Sequence, residues 1–88
     1  MDDHLDRQGM VRTVLQADMR NTERRTLCAC IALADCDGLF PIDVSTLAPM
    51  SGNRRPYVHA ALYILMADGW IAEVGPGTGQ LRFDRQGD

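Results

Sequence analysis

Two groups of side chains in the second half of the chain have the chemistry to contact a polyanion or a polar partner. The first group comprises Arg54, Arg55, Tyr57, His59 and Tyr63, and the second comprises Gln80 and Arg82. The planar guanidinium of arginine forms paired hydrogen bonds with phosphate oxygens or with the edge of guanine. Arg54 and Arg55 are therefore the first candidates for phosphate or base contacts, and the other side chains flank them. The simpler alternative is that two exposed arginines solvate the start of a helix.

The three cysteines, Cys28, Cys30 and Cys36, have a spacing that does not favour a metal site. On a helix, side chains at i and i+2 point about 200° apart, so one Zn²⁺ ion is not easily held by both Cys28 and Cys30. We predict three small buried apolar side chains, no metal and no cofactor.

Catalysis has no support in the pattern of residues. The chain shows no pairing of a nucleophile with a base. The glycine-rich segment 75–79 lacks both the Lys-Ser/Thr pair and the following helix of a phosphate-binding loop. We therefore predict that the chain is not an enzyme.

The candidate side chains between residues 54 and 63 must be positioned by a helix. Val58, Leu62 and Leu65 fall at i, i+4 and i+7, which is the buried stripe of an amphipathic helix. That orientation turns the following residues outward: Pro56, Ala60, Tyr63 and Ala67. The outward stripe lacks the Asn, Gln or further Arg side chains that usually read bases, so docking on a protein remains an alternative.

A second helix and a tight turn are predicted immediately before this one. Asp43 is expected to cap a helix from Val44 to about Met50. Gly52 is expected to form the turn at a point where a side chain would clash. The helix over about 53–68 then begins at Asn53 or Arg54 and ends at Gly69.

The remaining segments predict a mainly α fold with a small β-hairpin. We expect an amphipathic helix over about 3–18, an N-cap at Asn21-Thr22, and a helix over about 23–34 that is buried nearly all round. Strands are predicted at 39–42, 70–74 and 80–83, with a flexible turn at 75–79. The expected organisation is an N-terminal dimerisation helix at 1–20, one domain at 21–83 and a flexible tail at 84–88.

The spacing of Leu47-Ala48, Gly52, Val58, Leu62, Leu65 and Gly69-Trp70-Ile71 resembles that of the winged helix-turn-helix DNA-binding superfamily of MarR-, ArsR- and GntR-like repressors. Two positions depart from its pattern. Ser51 replaces an apolar residue, with Met50 expected to fill the space, and Asn53 replaces a β-branched residue.

This resemblance implies a trihelical core plus a wing, with an additional N-terminal helix. It also implies a cytoplasmic transcriptional regulator that binds double-stranded DNA as a homodimer. The helix at 53–68 would enter the major groove, and the wing at 70–83 would contact the backbone or minor groove. The alternative is a winged-helix protein–protein interaction module or a replication or partition accessory protein.

The charge distribution is uneven over the 88 residues. The formal net charge is −3, whereas nucleic-acid-binding domains are often basic. Residues 1–43 hold eight acidic residues against five arginines, while residues 44–83 hold two against three. No apolar run is long enough to span a bilayer, so we expect no membrane partner. The acidic charge is concentrated away from the candidate contact residues.

Overall fold

The computed structural model describes residues 5–83, which form four α-helices and three β-strands. The helices are α1 (Arg7–Gln16), α2 (Asn21–Leu33), α3 (Val44–Ser51) and α4 (Arg55–Ala67). The strands are β1 (Leu39–Pro41), β2 (Ile71–Gly75) and β3 (Thr78–Leu81), in one antiparallel sheet of order β1-β3-β2. The chain is thus mainly helical with a small sheet. Within residues 5–83, no helix is long and apolar enough to cross a membrane.

Local capping shifts the ends of the first two helices from their predicted positions. The Asp6 carboxylate accepts a hydrogen bond from the Gly9 amide at 3.0 Å, so α1 begins at Arg7. The Arg20 amide donates to the Glu23 carboxylate at 3.3 Å, which makes Arg20 the N-cap of α2. The predicted cap at Asn21-Thr22 is therefore wrong by one residue. Residues 1–4, in which helix 3–18 was predicted to begin, and the predicted tail at 84–88 lie outside the described residues.

Two arginines join α1 and α2 in antiparallel orientation, and we call them the crossed arginines, Arg7 and Arg24. Arg24 donates from Nε to the Val14 carbonyl at 3.3 Å and from Nη2 to the Ala17 carbonyl at 2.8 Å. Arg7 donates to the carbonyls of Ile31 (3.1 Å) and Ala34. Each arginine therefore donates hydrogen bonds to carbonyls at or just past the C-terminal end of the other helix, where few intrahelical donors remain.

The core is centred on α2, which contacts α1, α3 and α4. Its fully or nearly fully buried side chains come from every helix and from the sheet: Val14, Leu27, Cys30, Ile31, Phe40, Leu47, Val58, Leu62, Leu65, Ile71 and Leu81. The prediction that the apolar run of α2 is buried nearly all round holds only in part, because Ala32 is exposed and Cys28 half-buried. Cys36 is exposed, so its predicted burial is wrong.

The end of α4 follows the prediction made for Gly69. Gly69 has φ +85°, and its amide donates to the Met66 carbonyl at 3.2 Å. The Trp70 amide donates to the Leu65 carbonyl at 3.0 Å. These two bonds form a Schellman motif, which satisfies the last carbonyls of α4 and turns the chain into β2.

The hairpin between β2 and β3 is tighter than predicted. Only Pro76 and Gly77 separate the strands, so the turn is not the whole of 75–79, and β3 ends at Leu81 rather than at Phe83. Gly79 lies within β3, where an added Cβ would sit 2.5 Å from Cζ of Phe40. Pro41 is tolerated because β1 is an edge strand of the sheet.

Candidate functional site

The candidate site lies on α3 and α4, and α3 begins with an N-cap at Asp43. The Asp43 carboxylate accepts from the Ser45 amide at 3.0 Å and from the Thr46 hydroxyl at 2.9 Å, which confirms the predicted cap of α3. Gly52 follows α3 with φ +76°. Nothing lies within 4 Å of a Cβ built at Gly52, so the predicted clash is wrong. The left-handed backbone conformation is what favours glycine there.

The turn between α3 and α4 is held by a polar network. Ser51 Oγ donates to the Ala48 carbonyl at 3.2 Å and accepts from the Asn53 amide at 3.2 Å. Asn53 Nδ2 lies 3.1 Å from the Thr22 carbonyl and 3.2 Å from the Thr26 hydroxyl. Ser51 and Thr26 are both buried, and no buried side-chain polar atom lacks a partner in the described part of the chain.

This network gives a physical reason for the two departures in the sequence pattern. A β-branched apolar residue at position 53 could not donate hydrogen bonds to α2. An apolar residue at position 51 could not connect the end of α3 to residue 53 by hydrogen bonds. Met50 is 46% exposed, so it does not fill the space as predicted. The turn is therefore fixed against α2 by hydrogen bonds in place of apolar packing.

The first turn of α4 has a concentration of positive charge and no carboxylate. Arg54 is the N-cap and makes no side-chain capping bond, and the first turn contains no acidic residue. The side chains of Arg54 and Arg55 are exposed, and neither has a hydrogen-bond or ion-pair partner among residues 5–83. The unpaired amides at a helix N-terminus carry partial positive charge, so two arginines there repel each other and the helix dipole.

The exposed face of α4 is largely apolar beyond this first turn. Val58, Leu62 and Leu65 are buried as predicted, and the predicted outward residues are all exposed. Tyr57 is 58% exposed and Tyr63 77% exposed, and His59 is also exposed, on the opposite shoulder of α4 from Tyr57. Ile64 is also 37% exposed, which the periodicity did not predict.

A groove adjoins this face and contains residues that the sequence did not single out. It encloses about 290 Å³ between α4, β2 and the segment before α3, and is lined by Ile42, Val44, His59, Leu62, Tyr63, Met66 and Glu73. Glu73 is paired with Gly79, two residues after buried Ile71, so strand alternation places it on the face of the sheet towards α4. The alternation of the strand was the signal that could have identified Glu73.

The second predicted group lies far from the arginines of α4. Gln80 lies on the central strand between Leu39 and Ala72, and its Oε1 accepts from Nη1 of Arg82 at 3.0 Å. The Arg82 amide donates to the carbonyl of Trp70, just past the C-terminal end of α4. Since α4 is roughly 20 Å long, Arg82 and Arg54 lie near its opposite ends. The structure therefore brings the predicted residues together as two groups.

The three cysteines differ in accessibility: Cys28 is half-buried, Cys30 is buried and Cys36 is exposed. Burial raises the pKa of the Cys30 thiol to about 12, and it also raises the pKa of Cys28 against the opposing effect of Arg24. Both thiols are therefore weaker acids in the folded chain than an exposed cysteine. No group of three or more His, Cys, Asp or Glu side chains suited to a metal ion occurs between residues 5 and 83.

Comparisons with protein-family models, with curated proteins and with solved structures found no match to this chain. Two features of α4 bear on function: its first turn, with Arg54 and Arg55, and the groove lined by His59, Leu62, Tyr63 and Met66.

Proposed function

We propose that this protein is a winged-helix transcriptional regulator that binds duplex DNA sequence-specifically through α4. The observation that carries the proposal is the first turn of α4, where Arg54 and Arg55 are exposed, unpaired and free of neighbouring carboxylates on their own helix. A phosphate placed there would meet two guanidiniums and the unpaired amides of the helix end. The tight α3–α4 turn supports the same proposal, because it presents the start of the second helix to a groove.

Each predicted residue has a role in this proposal. Arg54 and Arg55 contact phosphates or a guanine edge, Tyr57 and His59 flank them, and Tyr63 lies two turns further along α4. Gln80 and Arg82 contact the DNA backbone or minor groove from the sheet, with Arg82 oriented by its hydrogen bond to Gln80. Cytoplasmic location and action as a homodimer belong to the same proposal, since two copies of α4 can then meet successive major grooves.

The described charges indicate that the contact area is small. Glu73 borders the groove beside the second half of α4, where it would repel phosphates. The tip of the β2–β3 hairpin, Pro76-Gly77, carries no cation, and its Gly77 amide donates to the Glu73 carboxylate at 3.3 Å. We therefore expect few phosphate contacts and a modest dependence of binding on salt.

The experiment is a titration of random duplex DNA with the intact protein at several salt concentrations. Arg54→Ala and Arg55→Ala should each weaken binding and lower the salt slope by about one unit. Arg25→Ala is the matched control, because it removes one exposed arginine from α2 and leaves α4 unchanged. Equal losses of DNA affinity in all three variants would show that the loss comes from the change in net charge and not from the position of the arginine. Unchanged binding in both α4 variants would refute the proposed contact.

A protein-docking function is the second candidate, because a specific surface favours it. Tyr63 is 77% exposed on α4 and lines the groove of about 290 Å³, whose other lining side chains are mostly apolar. Aromatic side chains next to such a groove are typical of protein interfaces. Failure to bind duplex DNA, or DNA binding that is indifferent to Arg54 and Arg55, would favour this interaction module or a replication or partition accessory role.

A further inference from the structure

The outer surface of α1 and α2 contains two open hollows that share Leu15, and we call their joint lining the arginine face. The hollows enclose about 470 and 400 Å³. Leu15 is 62% exposed in the last turn of α1, and Met50 is 46% exposed near the end of α3. Both side chains line the second hollow, whose other lining residues come mostly from α2. Two large apolar side chains are therefore exposed on one concave surface.

The arginine face includes a side of α2 that the described chain leaves uncovered. Helix α2 contacts α1, α3 and α4. Arg25, Cys28 and Ala32 follow one another at i, i+3 and i+7, so they form one stripe of α2, and all three line the second hollow. The prediction that the run 27–34 is buried nearly all round fails at Cys28 and Ala32, which lie on this stripe. A partner seated there would complete the burial of α2.

The charged side chains of the arginine face are all positive. They are four of the nine arginines of the chain: Arg7, Arg12, Arg24 and Arg25. Within residues 5–83, no acidic residue lines either hollow. The crossed arginines are fixed by the carbonyls that they bind, whereas Arg12 and Arg25 are exposed and have no described hydrogen-bond or ion-pair partner. A chain of net charge −3 therefore has a local surface that attracts anions.

The combination of cations and exposed apolar side chains distinguishes between possible occupants. Duplex DNA matches the charge, but its backbone makes polar contacts and would leave Leu15 and Met50 without apolar partners. A second copy in a two-fold contact presents the same surface, so the four arginines would face four arginines. A small molecule is held by a concave site that encloses it, and both hollows are open. A protein segment with acidic and apolar side chains matches both properties of the face.

The elements that line the face determine the conformation of that segment. All lining residues belong to α1, α2 and α3, so the face has no strand edge. An extended segment would find no ladder of backbone partners there, whereas a helix satisfies its own backbone groups.

We propose that the arginine face binds an acidic amphipathic helix of a partner protein. The apolar stripe of that helix packs against Leu15, Met50 and the open side of α2, and its flanking carboxylates pair with Arg12 and Arg25. The inference goes beyond the proposed function and does not depend on DNA binding. It assigns this face of α1 to a different protein, in place of the dimerisation that the sequence predicts for residues 1–20.

The test begins with selection of peptides from a random library displayed on phage, against the intact protein in the absence of DNA. The selected sequences should carry net negative charge and apolar residues at i, i+3 or i+4, and i+7. One selected peptide is then synthesised, and its affinity is measured by fluorescence anisotropy. Arg12→Gln should weaken its binding about threefold through the loss of one ion pair. Leu15→Asp should weaken it about tenfold, because an apolar contact is lost and a repelling charge is added.

Arg55→Gln is the matched control, since it removes the same charge from the first turn of α4 and lines neither hollow. Both α1 positions are exposed, and circular dichroism should show native folding of the variants. Unchanged peptide binding in Arg12→Gln and Leu15→Asp would overturn the proposal. Selection of neutral or basic peptides, or of none, would overturn it too.

Two further results would assign the binding elsewhere and so refute the proposal. Loss of peptide binding in Arg55→Gln, with none in Arg12→Gln, would place the peptide at α4. A dimer of the free protein that Leu15→Asp dissociates, measured by sedimentation equilibrium, would assign the face to a second copy. Duplex binding is measured separately through Arg54→Ala and Arg55→Ala, so failure of the DNA contact and failure of this interface are distinguishable.

Discussion

The two ends of the helical core use arginine in opposite ways. Arg7 and Arg24 lie against the C-terminal ends of helices, where each donates hydrogen bonds to two or more acceptors of described residues. Arg54 and Arg55 lie at the N-terminal end of α4, where amides point outward and no described acceptor is bound. A cation stabilises the first kind of helix end and destabilises the second.

This contrast separates the structural role of one pair of arginines from the functional role that we propose for the other pair. The crossed arginines donate to carbonyls at the C-terminal ends of the facing helices, so their positions are explained by the fold. The arginines of α4 break a local rule of helix stability without any gain inside the described chain. Positions that break such rules are expected at functional sites, where a ligand supplies the missing partner.

Removal of a crossed arginine should produce the largest change in stability. Arg24→Ala leaves the carbonyls of Val14 and Ala17 without their charged donor, which should lower the free energy of unfolding by about 2 kcal/mol. Arg24→Lys should recover only part of this loss, because one ammonium cannot reproduce the fork that reaches both carbonyls. Denaturant unfolding measures both variants, with Arg25→Ala as the control expected to stay within about 0.5 kcal/mol. A loss in Arg25→Ala as large as in Arg24→Ala would contradict the assignment.

Loss of the hydrogen-bond network at the α3–α4 turn should produce the next largest change in stability. Asn53→Val introduces a β-branched apolar side chain and removes both hydrogen bonds that Asn53 Nδ2 donates to Thr22 and Thr26. We expect a loss of about 1.5 kcal/mol in denaturant unfolding, since buried acceptors are left with fewer partners. Ser51→Ala should cost less, because the Asn53 amide side chain still reaches α2. Native stability of Asn53→Val would show that apolar packing can replace the network.

Much of α3, α4 and the sheet could be predicted because local patterns decide them. The i, i+4, i+7 stripe, the Asp43 cap and Gly69 each determine a local backbone feature regardless of distant residues. The crossed arginines could not be predicted, since a hydrogen bond from Arg24 to Val14 depends on how α1 packs on α2. The network of Asn53 was visible only as a departure from a pattern, and the close approach of Gly79 to Phe40 depends on how β1 pairs with β3.

The crossed arginines hold α1 against α2, and the burial of α2 can be tested through its Cys30 thiol. A buried thiol whose pKa is raised from 9.0 to about 12 is protonated in the folded chain over a range in which the unfolded chain ionises. Stability should therefore be constant below about pH 8 and fall as the pH rises through 9 towards 12, with a loss of about 1.4 kcal/mol at pH 10. Denaturant unfolding at pH 7 and 10 measures the slope, and Cys30→Ala should reduce it. If Cys30→Ala left the pH dependence of stability unchanged, that dependence would come from other titratable groups.

The smallest expected effect has the opposite sign and bears most directly on the comparison. Arg54→Ala and Arg55→Ala, measured without DNA, should leave stability unchanged or raise it by about 0.5 kcal/mol each, because a cation is removed from the positive end of α4. Arg55→Glu should raise it further, since a carboxylate there interacts favourably with the helix end. Denaturant unfolding at low salt resolves the differences, and high salt should diminish them. If either alanine variant were destabilised as much as Arg24→Ala, these arginines would be structural too, and their exposure would no longer favour phosphate binding at α4.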